Sequence, residues 1–128
     1  MLARAARTGL YDQLVKSELT SYLAGVEEPY DIVFSADTLC YFGALETFAA
    51  GAAKALVAGG LLAFTVEATA DDGKAYKLQV NGRYQHSGGY VASTLEAAGF
   101  EVLRMRLETL RKEHGEPVAG HVVAARKL

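Results

Sequence analysis

Apolar residues along the chain occur in two arrangements, short continuous runs and stripes with helical spacing. The runs Tyr30–Ser35 and Leu61–Val66 are apolar on both faces, which is typical of strands that helices cover on both sides of a sheet. Between them, Ala44–Val57 places apolar residues three and four positions apart, as an amphipathic helix does, and Ala58–Gly60 ends this pattern. A strand, a helix and a strand in this order predict two parallel strands joined by a right-handed crossover.

The segments on either side of this unit predict smaller elements. Upstream, we predict a helix at Met1–Arg7, a strand at Leu10–Lys16 and a helical turn from Ser17 to Leu23. Downstream, Asn81-Gly82 favours a two-residue type I′ turn, which predicts a hairpin of Tyr76–Val80 with Arg83–His86. The last predicted elements are a helix at Tyr90–Ala98 and two antiparallel strands, Phe100–Leu107 and Ala119–Ala125. The pattern as a whole is of the α/β class.

Composition narrows the classes of function. A chain of 128 residues is the size of one domain, and its net charge of −2, with no basic run longer than Arg111-Lys112, disfavours nucleic-acid partners. The longest apolar stretch, Ala55–Val66, is shorter than the roughly 20 residues that span a bilayer, so we expect no membrane segment. A lone cysteine, Cys40, fits a small core residue in a reducing cytoplasm.

Three stretches together carry a resemblance to a known family. Residues 30–64, YDIVFSADTLCYFGALETFAAGAAKALVAGGLLAF, resemble the second half of a class I S-adenosylmethionine-dependent methyltransferase. Residues 82–100, GRYQHSGGYVASTLEAAGF, are similar to a region of bacterial small-molecule methyltransferases of that class. The terminal pair VLRMRLETLR and VAGHVVAARK resembles the sixth and seventh strands of the family. The resemblance implies a Rossmann-like, partly parallel sheet with an antiparallel final strand, and S-adenosylmethionine as the cofactor.

The chain departs from that family upstream of residue 30. The Gly-rich loop and the acidic residue that bind the methionine part and the ribose in the family have no counterpart there. We therefore expect residues 1–128 to be a single partial methyltransferase domain that lacks the first two strands. It is either a truncated or mis-started version of a longer protein or a natural remnant.

The same departure predicts an unpaired strand edge. In the family's strand order, 3-2-1-4-5-7-6, Leu10–Lys16 is the third strand and Tyr30–Ser35 the fourth, so a gap separates them. An unpaired edge is a template for pairing with another chain, so we expect a homodimer or aggregation through Tyr30–Ser35.

Candidate cofactor residues follow the parallel strands, because ligands of open parallel sheets bind at the carboxyl ends of the strands. The resemblance places Ser35, Ala36 and Asp37 beside the cofactor, and Asp37 is alternatively a helix N-cap for the segment beginning near Leu39. It also places Glu18 where the family accepts a hydrogen bond from the adenine amino group. The alternative for Glu18 is a helix start with a favourable dipole charge.

Candidate substrate residues lie at the strand ends and on the hairpin. The resemblance places Tyr41 and Tyr90 at the substrate pocket, and Glu67 is a carboxylate directly after the second core strand. His86, with Tyr84, is the catalytic candidate, since an ordinary histidine pKa of about 6.5 suits a general base. The alternative for His86 is an exposed hairpin histidine. The sequence predicts no metal site, because no histidine or cysteine spacing is typical of one.

The resemblance therefore implies methyl transfer from S-adenosylmethionine to a small-molecule acceptor. The reaction is an in-line displacement with a good leaving group, so positioning does most of the catalysis and no nucleophilic residue is needed. A different hypothesis is a non-catalytic interaction domain or pseudoenzyme that uses the exposed sheet edge. A dehydrogenase half-fold is a third alternative, which the antiparallel final strand disfavours.

Overall fold

The computed structural model describes residues 1–128, whose six strands form one mixed sheet. The helices are α1 (Leu2–Thr8), α2 (Leu19–Ala24), α3 (Glu46–Ala55) and α4 (Gly88–Ala97), with a short 3₁₀ helix at Leu39–Tyr41. The strands are β1 (Tyr30–Ser35), β2 (Leu56–Thr69), β3 (Tyr76–Leu78), β4 (Tyr84–Ser87), β5 (Phe100–Glu113) and β6 (Glu116–Lys127). None of the four helices combines the length and apolar composition that crossing a bilayer requires.

Strand β2 is the centre of the sheet. It pairs in parallel with β1 along its first part, where Val33 lies opposite Leu62. It then pairs in parallel with β4, and β6 runs antiparallel along its other side and pairs with β5. The order β1-β2-β6-β5 matches the 4-5-7-6 portion of the order expected for the fold and confirms a partly parallel sheet with an antiparallel final strand.

The core lies between the helices and one face of this sheet. Phe48 of α3 packs edge-on against Phe64 of β2, with ring centroids 5.9 Å apart and planes at 80°. The apolar stripe predicted on this helix is buried there except for Ala53, which is partly buried, and residues of β2 and β6 that point to the same face are buried with it. The buried core residues are Leu23, Leu39, Leu45, Phe48, Ala49, Ala52, Ala55, Leu56, Leu62, Phe64, Val66, Val91, Leu95, Phe100, Val123 and Ala125.

The opposite face of β1 is exposed, so the prediction that both faces of Tyr30–Ser35 are covered is wrong. Ile32 is 59% exposed and Phe34 is 79% exposed. No helix packs over these two side chains, because α3 lies on the other side of the sheet, with Phe64. The strand was predicted at its correct position, but its apolar run indicates two buried faces, whereas this chain covers one face only, where Val33 and Ser35 are half-buried.

The predicted strand at Leu10–Lys16 is also wrong. No part of this segment belongs to the six-stranded sheet, and β1 pairs with β2 alone. A β-strand requires a neighbour for its backbone hydrogen bonds, and the chain provides none beside Leu10–Lys16.

The hairpin has a different loop from the predicted one. Gln79 N donates to Arg83 O at 2.8 Å, so the loop has three residues, and Gly82 alone among them has a positive φ, of 84°. This register places Tyr76 opposite His86. A two-residue loop would shift the pairing by one position and turn the Tyr76 ring away from Tyr84 and His86, which it contacts with centroid distances of 5.7 and 6.0 Å.

The helix α3 ends two residues before the predicted end because Leu56 already pairs with Tyr30. The chain then makes a close turn before it rejoins the ladder, where Ile32 lies opposite Leu61. A Cβ on Gly60 would lie 2.9 Å from Val57 O and 3.1 Å from Asp31 O, so only glycine fits this close approach.

Candidate functional site

Asp37 lies just beyond the carboxyl end of β1, where the sequence places a ligand site. Its backbone has a positive φ of 52°, which is uncommon for a residue with a side chain. Its carboxylate accepts a hydrogen bond from Arg111 Nη1 at 3.0 Å. The alternative that Asp37 is a helix N-cap is wrong, because Thr38 precedes the 3₁₀ helix and makes no side-chain cap, and the Asp37 carboxylate is turned towards Arg111.

Arg111 reaches this position from the far end of the sheet. It lies on β5, and its Nη2 donates to Glu67 Oε2 on β2 at 2.7 Å. The strand between them, β6, has Gly120 opposite Glu67, and the Leu110 side chain fills the space that a Cβ on Gly120 would take. Because Gly120 has no side chain, the end of β5 can bend over β6. The bend lies at a bulge of β5 between Thr109 and Arg111.

Glu67 is the buried centre of this group of charges. It lies inside β2 and not after a strand end, because pairing with β4 extends β2 through Thr69. Its side chain is 4% exposed and also accepts from Gln79 Nε2 at 3.1 Å. A carboxylate this buried requires partners of opposite charge, and Arg111 provides one.

A second arginine joins the same group. Arg83, directly after the hairpin loop, pairs with Glu113 and lies 4.0 Å from Glu67. Arg111 Nε also donates to Glu113 Oε1, at 3.1 Å. The hydrogen bond to Glu113 raises the pKa of Arg83 above its ordinary value. The same two arginines lower the pKa of the Glu113 carboxyl, so Glu113 and both arginines are charged at neutral pH.

A cavity of about 180 Å³ opens beside these charges. It is lined by Asp37, Cys40, Tyr41, Arg83 and Arg111. Tyr41 is exposed, and Cys40 is buried, as its core role predicts, with burial raising the pKa of its thiol. The structure thus brings Asp37 and Tyr41 together, as the resemblance implies, and sets both beside two guanidinium groups.

His86 is not an exposed hairpin histidine, so that alternative is wrong. The side chain is fully buried, its Nε2 lies 2.8 Å from Gly43 O, and its Nδ1 has no partner. Burial lowers the pKa of His86, and the hydrogen bond to Gly43 opposes this effect only in part. The neutral ring therefore donates from Nε2 to the carbonyl, and His86 does not line the cavity at Asp37.

Tyr76 and Tyr90 contact His86, and Tyr84 joins this aromatic cluster through Tyr76. Tyr90 is stacked on His86 with planes 10° apart, and Tyr76 is in contact with both other tyrosines. The Tyr90 hydroxyl donates to Glu46 Oε2 at 2.7 Å and accepts from Leu45 N. The structure gives Tyr90 a role in fixing α3 against α4 and does not bring it into the cavity at Asp37.

Glu18 is the N-cap of α2, as the alternative interpretation predicts. It accepts hydrogen bonds from Thr20 Oγ1 and from Ser21 N, and these lower the pKa of Glu18 to about 2. Ser17 and Leu19, on either side of it, line a separate cavity of about 740 Å³ that is bounded by Tyr30 and Phe34 of β1. The structure does not join Glu18 to Ser35, Ala36 and Asp37, which directly follow one another at the end of β1.

No protein-family model matches the chain, and no curated protein matches it in sequence. Solved structures do match it. A SAM-dependent methyltransferase from Methanosarcina mazei superposes with a TM-score of 0.72 at 18% identity, over 98% of this chain and 75% of that one. The N-methyltransferase NodS from Bradyrhizobium japonicum WM9, in complex with S-adenosyl-L-homocysteine, superposes with a TM-score of 0.71 at 17% identity, over 98% of this chain and 61% of that one. The chain has the class I S-adenosylmethionine-dependent methyltransferase fold.

This fold also occurs in a protein that is named for a different reaction. The cyclase SpnF superposes with a TM-score of 0.75 at 15% identity, over 98% of this chain and 60% of that one. The chain spans less than two thirds of both NodS and SpnF. Identities this low show the fold alone, so the activity has to be argued from the site.

Sequence reasoning missed Arg83, Arg111 and Glu113 as members of the site. Arg111 is brought to Glu67 by the bulge on β5 and by Gly120 on β6. Both features depend on strand register, which periodicity does not reveal. The sequence contained one signal of a basic partner, which is the position of Glu67. A carboxylate inside an apolar strand requires a partner of opposite charge. No three His, Cys, Asp or Glu side chains gather closely enough to hold a metal ion.

Proposed function

We propose that this chain forms the acceptor side of a site for methyl transfer from S-adenosylmethionine to a small molecule. The observation that carries the proposal is the position of Asp37 and Tyr41, which line one cavity at the carboxyl end of a strand parallel to β2. Ligands of this sheet type bind at that edge. The fold supports the same cofactor class, since NodS carries the demethylated product of S-adenosylmethionine.

In this proposal the residues hold and orient, and none acts as a nucleophile. The segment Ser35–Asp37 borders the methyl donor, and the Asp37 carboxylate offers a negative charge to its sulfonium. Tyr41 provides an exposed ring for the acceptor, and buried Glu67 holds Arg111 in position beside the cavity. Positioning of this kind provides most of the rate enhancement for a displacement that already has a good leaving group.

We assign His86 and Tyr84 to the packed wall behind the site and not to proton transfer. A general base requires contact with the proton that it removes, and the His86 ring is buried with Nε2 bonded to Gly43 O. Glu18 is retained as a cofactor contact only through the resemblance, since its oxygens already cap α2. We also propose that the protein acts in the cytoplasm, as its lone, buried Cys40 suggests.

Calorimetric titration of the 128-residue chain with S-adenosyl-L-homocysteine tests the proposal. We expect binding, and a parallel titration with S-adenosylmethionine, whose sulfonium charge faces Asp37 in this proposal, should show weaker binding in Asp37→Ala. The matched control is Asp72→Ala, an exposed carboxylate outside this site that pairs with Lys77. Absence of binding, or equal binding by the two variants, would contradict the proposal.

A second function is favoured by the unpaired edge of β1. The other long edge strand, β5, carries charged side chains that discourage pairing, among them Arg104, Arg106 and Glu108. The edge of β1 instead carries exposed Ile32 and Phe34. We therefore also propose self-association, as a homodimer, or pairing with another chain through β1, which does not require any catalysis.

A further inference from the structure

Two guanidinium groups face the cavity at the end of β1, and both are held in place. Arg111 is held by Glu67 at 2.7 Å and by Glu113 at 3.1 Å, on its Nη2 and Nε atoms. Arg83 is held by Glu113. A guanidinium fixed in this way loses little freedom when it binds a further group, and its planar donors match a carboxylate.

The third carboxylate on Arg111 is held differently from the other two. The Asp37 side chain is 70% exposed, whereas that of Glu67 is 4% exposed and that of Glu113 is 31% exposed. An ion pair this exposed contributes little to stability. The positive φ of Asp37, 52°, also places the residue in a sparsely populated backbone conformation. Asp37 is therefore the one carboxylate of the group that can leave Arg111 at small cost.

Asp37 is the carboxylate in excess in this group of charges. Arg83 and Arg111 together balance Glu67 and Glu113, so the four groups sum to zero, and Asp37 makes the total −1. A monoanion can take the place of Asp37 on Arg111 Nη1 once the exposed Asp37 side chain turns away from the arginine. Tyr41, which is 61% exposed at the same cavity, offers a ring for the apolar part of such a ligand.

We propose that Asp37 occupies the place of a ligand carboxylate, and that the cavity binds a small, ring-bearing carboxylate through Arg111 and Arg83. The identification of this ligand as the methyl acceptor rests on the proposed function. The anion site itself does not, because it requires no cofactor. An amine bound by Asp37 is a different ligand for the same cavity. The test distinguishes it from a carboxylate.

The test is a titration of the whole chain with three probes that share one ring, namely benzoate, benzylamine and benzamide. Binding is followed by chemical-shift changes at Tyr41 and by calorimetry. We expect benzoate to bind more tightly than the other two probes. Asp37→Asn removes the competing carboxylate, so benzoate affinity should rise by about threefold or more.

Variants of the arginine complete the test. Arg111→Gln should weaken benzoate binding by at least about fivefold. Because this change leaves Glu67 buried without its partner, the double variant Glu67→Gln with Arg111→Gln is measured as well. The matched control is Arg106→Gln, which removes an exposed arginine of the same strand, paired with Glu108, and should leave benzoate binding unchanged.

Three outcomes would overturn the proposal: no benzoate binding, equal binding by the parent chain and the double variant, or tighter binding of benzylamine that is lost in Asp37→Asn. Cofactor binding is measured separately. Failure of S-adenosyl-L-homocysteine to bind, with benzoate bound through Arg111, would contradict methyl transfer alone and leave the anion site in place.

Discussion

Arg111 on β5 donates to Glu67 on β2 at 2.7 Å, and this ion pair joins two strands that are not neighbours in the sheet. It connects the buried interior to the exposed Asp37 at the proposed ligand site. The pair therefore contributes both to the stability of the fold and to the geometry of the cavity.

Removal of the buried carboxylate is expected to cost far more stability than removal of an exposed one. Glu67→Ala removes the buried partner of Arg111 and Arg83 and leaves them paired with Glu113, and we expect a loss of roughly 2–3 kcal/mol in the free energy of unfolding. The matched variant is Glu108→Ala, which breaks the exposed pair with Arg106 and should cost less than about 1 kcal/mol. Urea denaturation measures both. Equal losses in the two variants would show that Glu67 is not held by a buried ion pair.

Acidification is expected to destabilise the protein through buried His86 and half-buried His121. Burial lowers the pKa of His86 and of His121 in the folded chain, so below about pH 6.5 the unfolded chain binds more protons than the folded one. Stability is therefore full above that pH and falls as the pH decreases towards the lowered values. His86 faces His121 and the rings of Tyr76 and Tyr90. The carboxylate of Asp71 acts on His121 and partly favours the charged form of that histidine.

This pH dependence is checked by urea denaturation between about pH 8 and pH 5. His86→Gln should flatten the decrease in the unfolding free energy, because one of the two depressed groups is gone. His114→Asn is the control, since His114 is exposed in the turn between β5 and β6 and has a positive φ that asparagine tolerates. A steeper decrease in His86→Gln than in the parent chain would contradict the explanation.

Self-association is expected to depend on the exposed side of β1. Phe34→Lys places a charge on that strand, so light scattering at increasing concentration should show a smaller mean mass than for the parent chain. Leu78→Lys is the control, because Leu78 is 63% exposed on the short edge strand β3, whose three residues offer little backbone for pairing. A parent chain that stays monomeric throughout, or equal effects of the two variants, would rule out association through β1.

The local elements were largely predictable because short-range patterns specify them. Tyr30–Ser35 forms a strand at the predicted residues, and α1, α2, α3 and α4 lie where the apolar spacing and the glycines indicated. The terminal pair was predicted as antiparallel but too short, since β5 and β6 continue to a two-residue turn at His114-Gly115. Their outer parts are polar, and an alternating polar strand has no strong hydrophobic signal.

The candidate site was predicted in part. Asp37 and Tyr41 lie at one cavity, as expected, because both follow the carboxyl end of one strand. His86 was identified as a functional histidine but is buried, since the aromatic residues of the hairpin and of α4 close around it. Burial of a polar side chain depends on neighbours that are distant in sequence, and spacing along the chain does not reveal them.

The amino-acid sequence by itself determined the strand, helix, strand unit and the parallel direction of β1 and β2, because periodicity and glycine positions are local properties. The tertiary structure alone decided which face of β1 is buried, which loop the hairpin uses and that Arg111 meets both Glu67 and Asp37. These features depend on strand register and on the neighbours that cover each face. Register brings together residues 44 and 74 positions apart, and no local pattern encodes such a pairing.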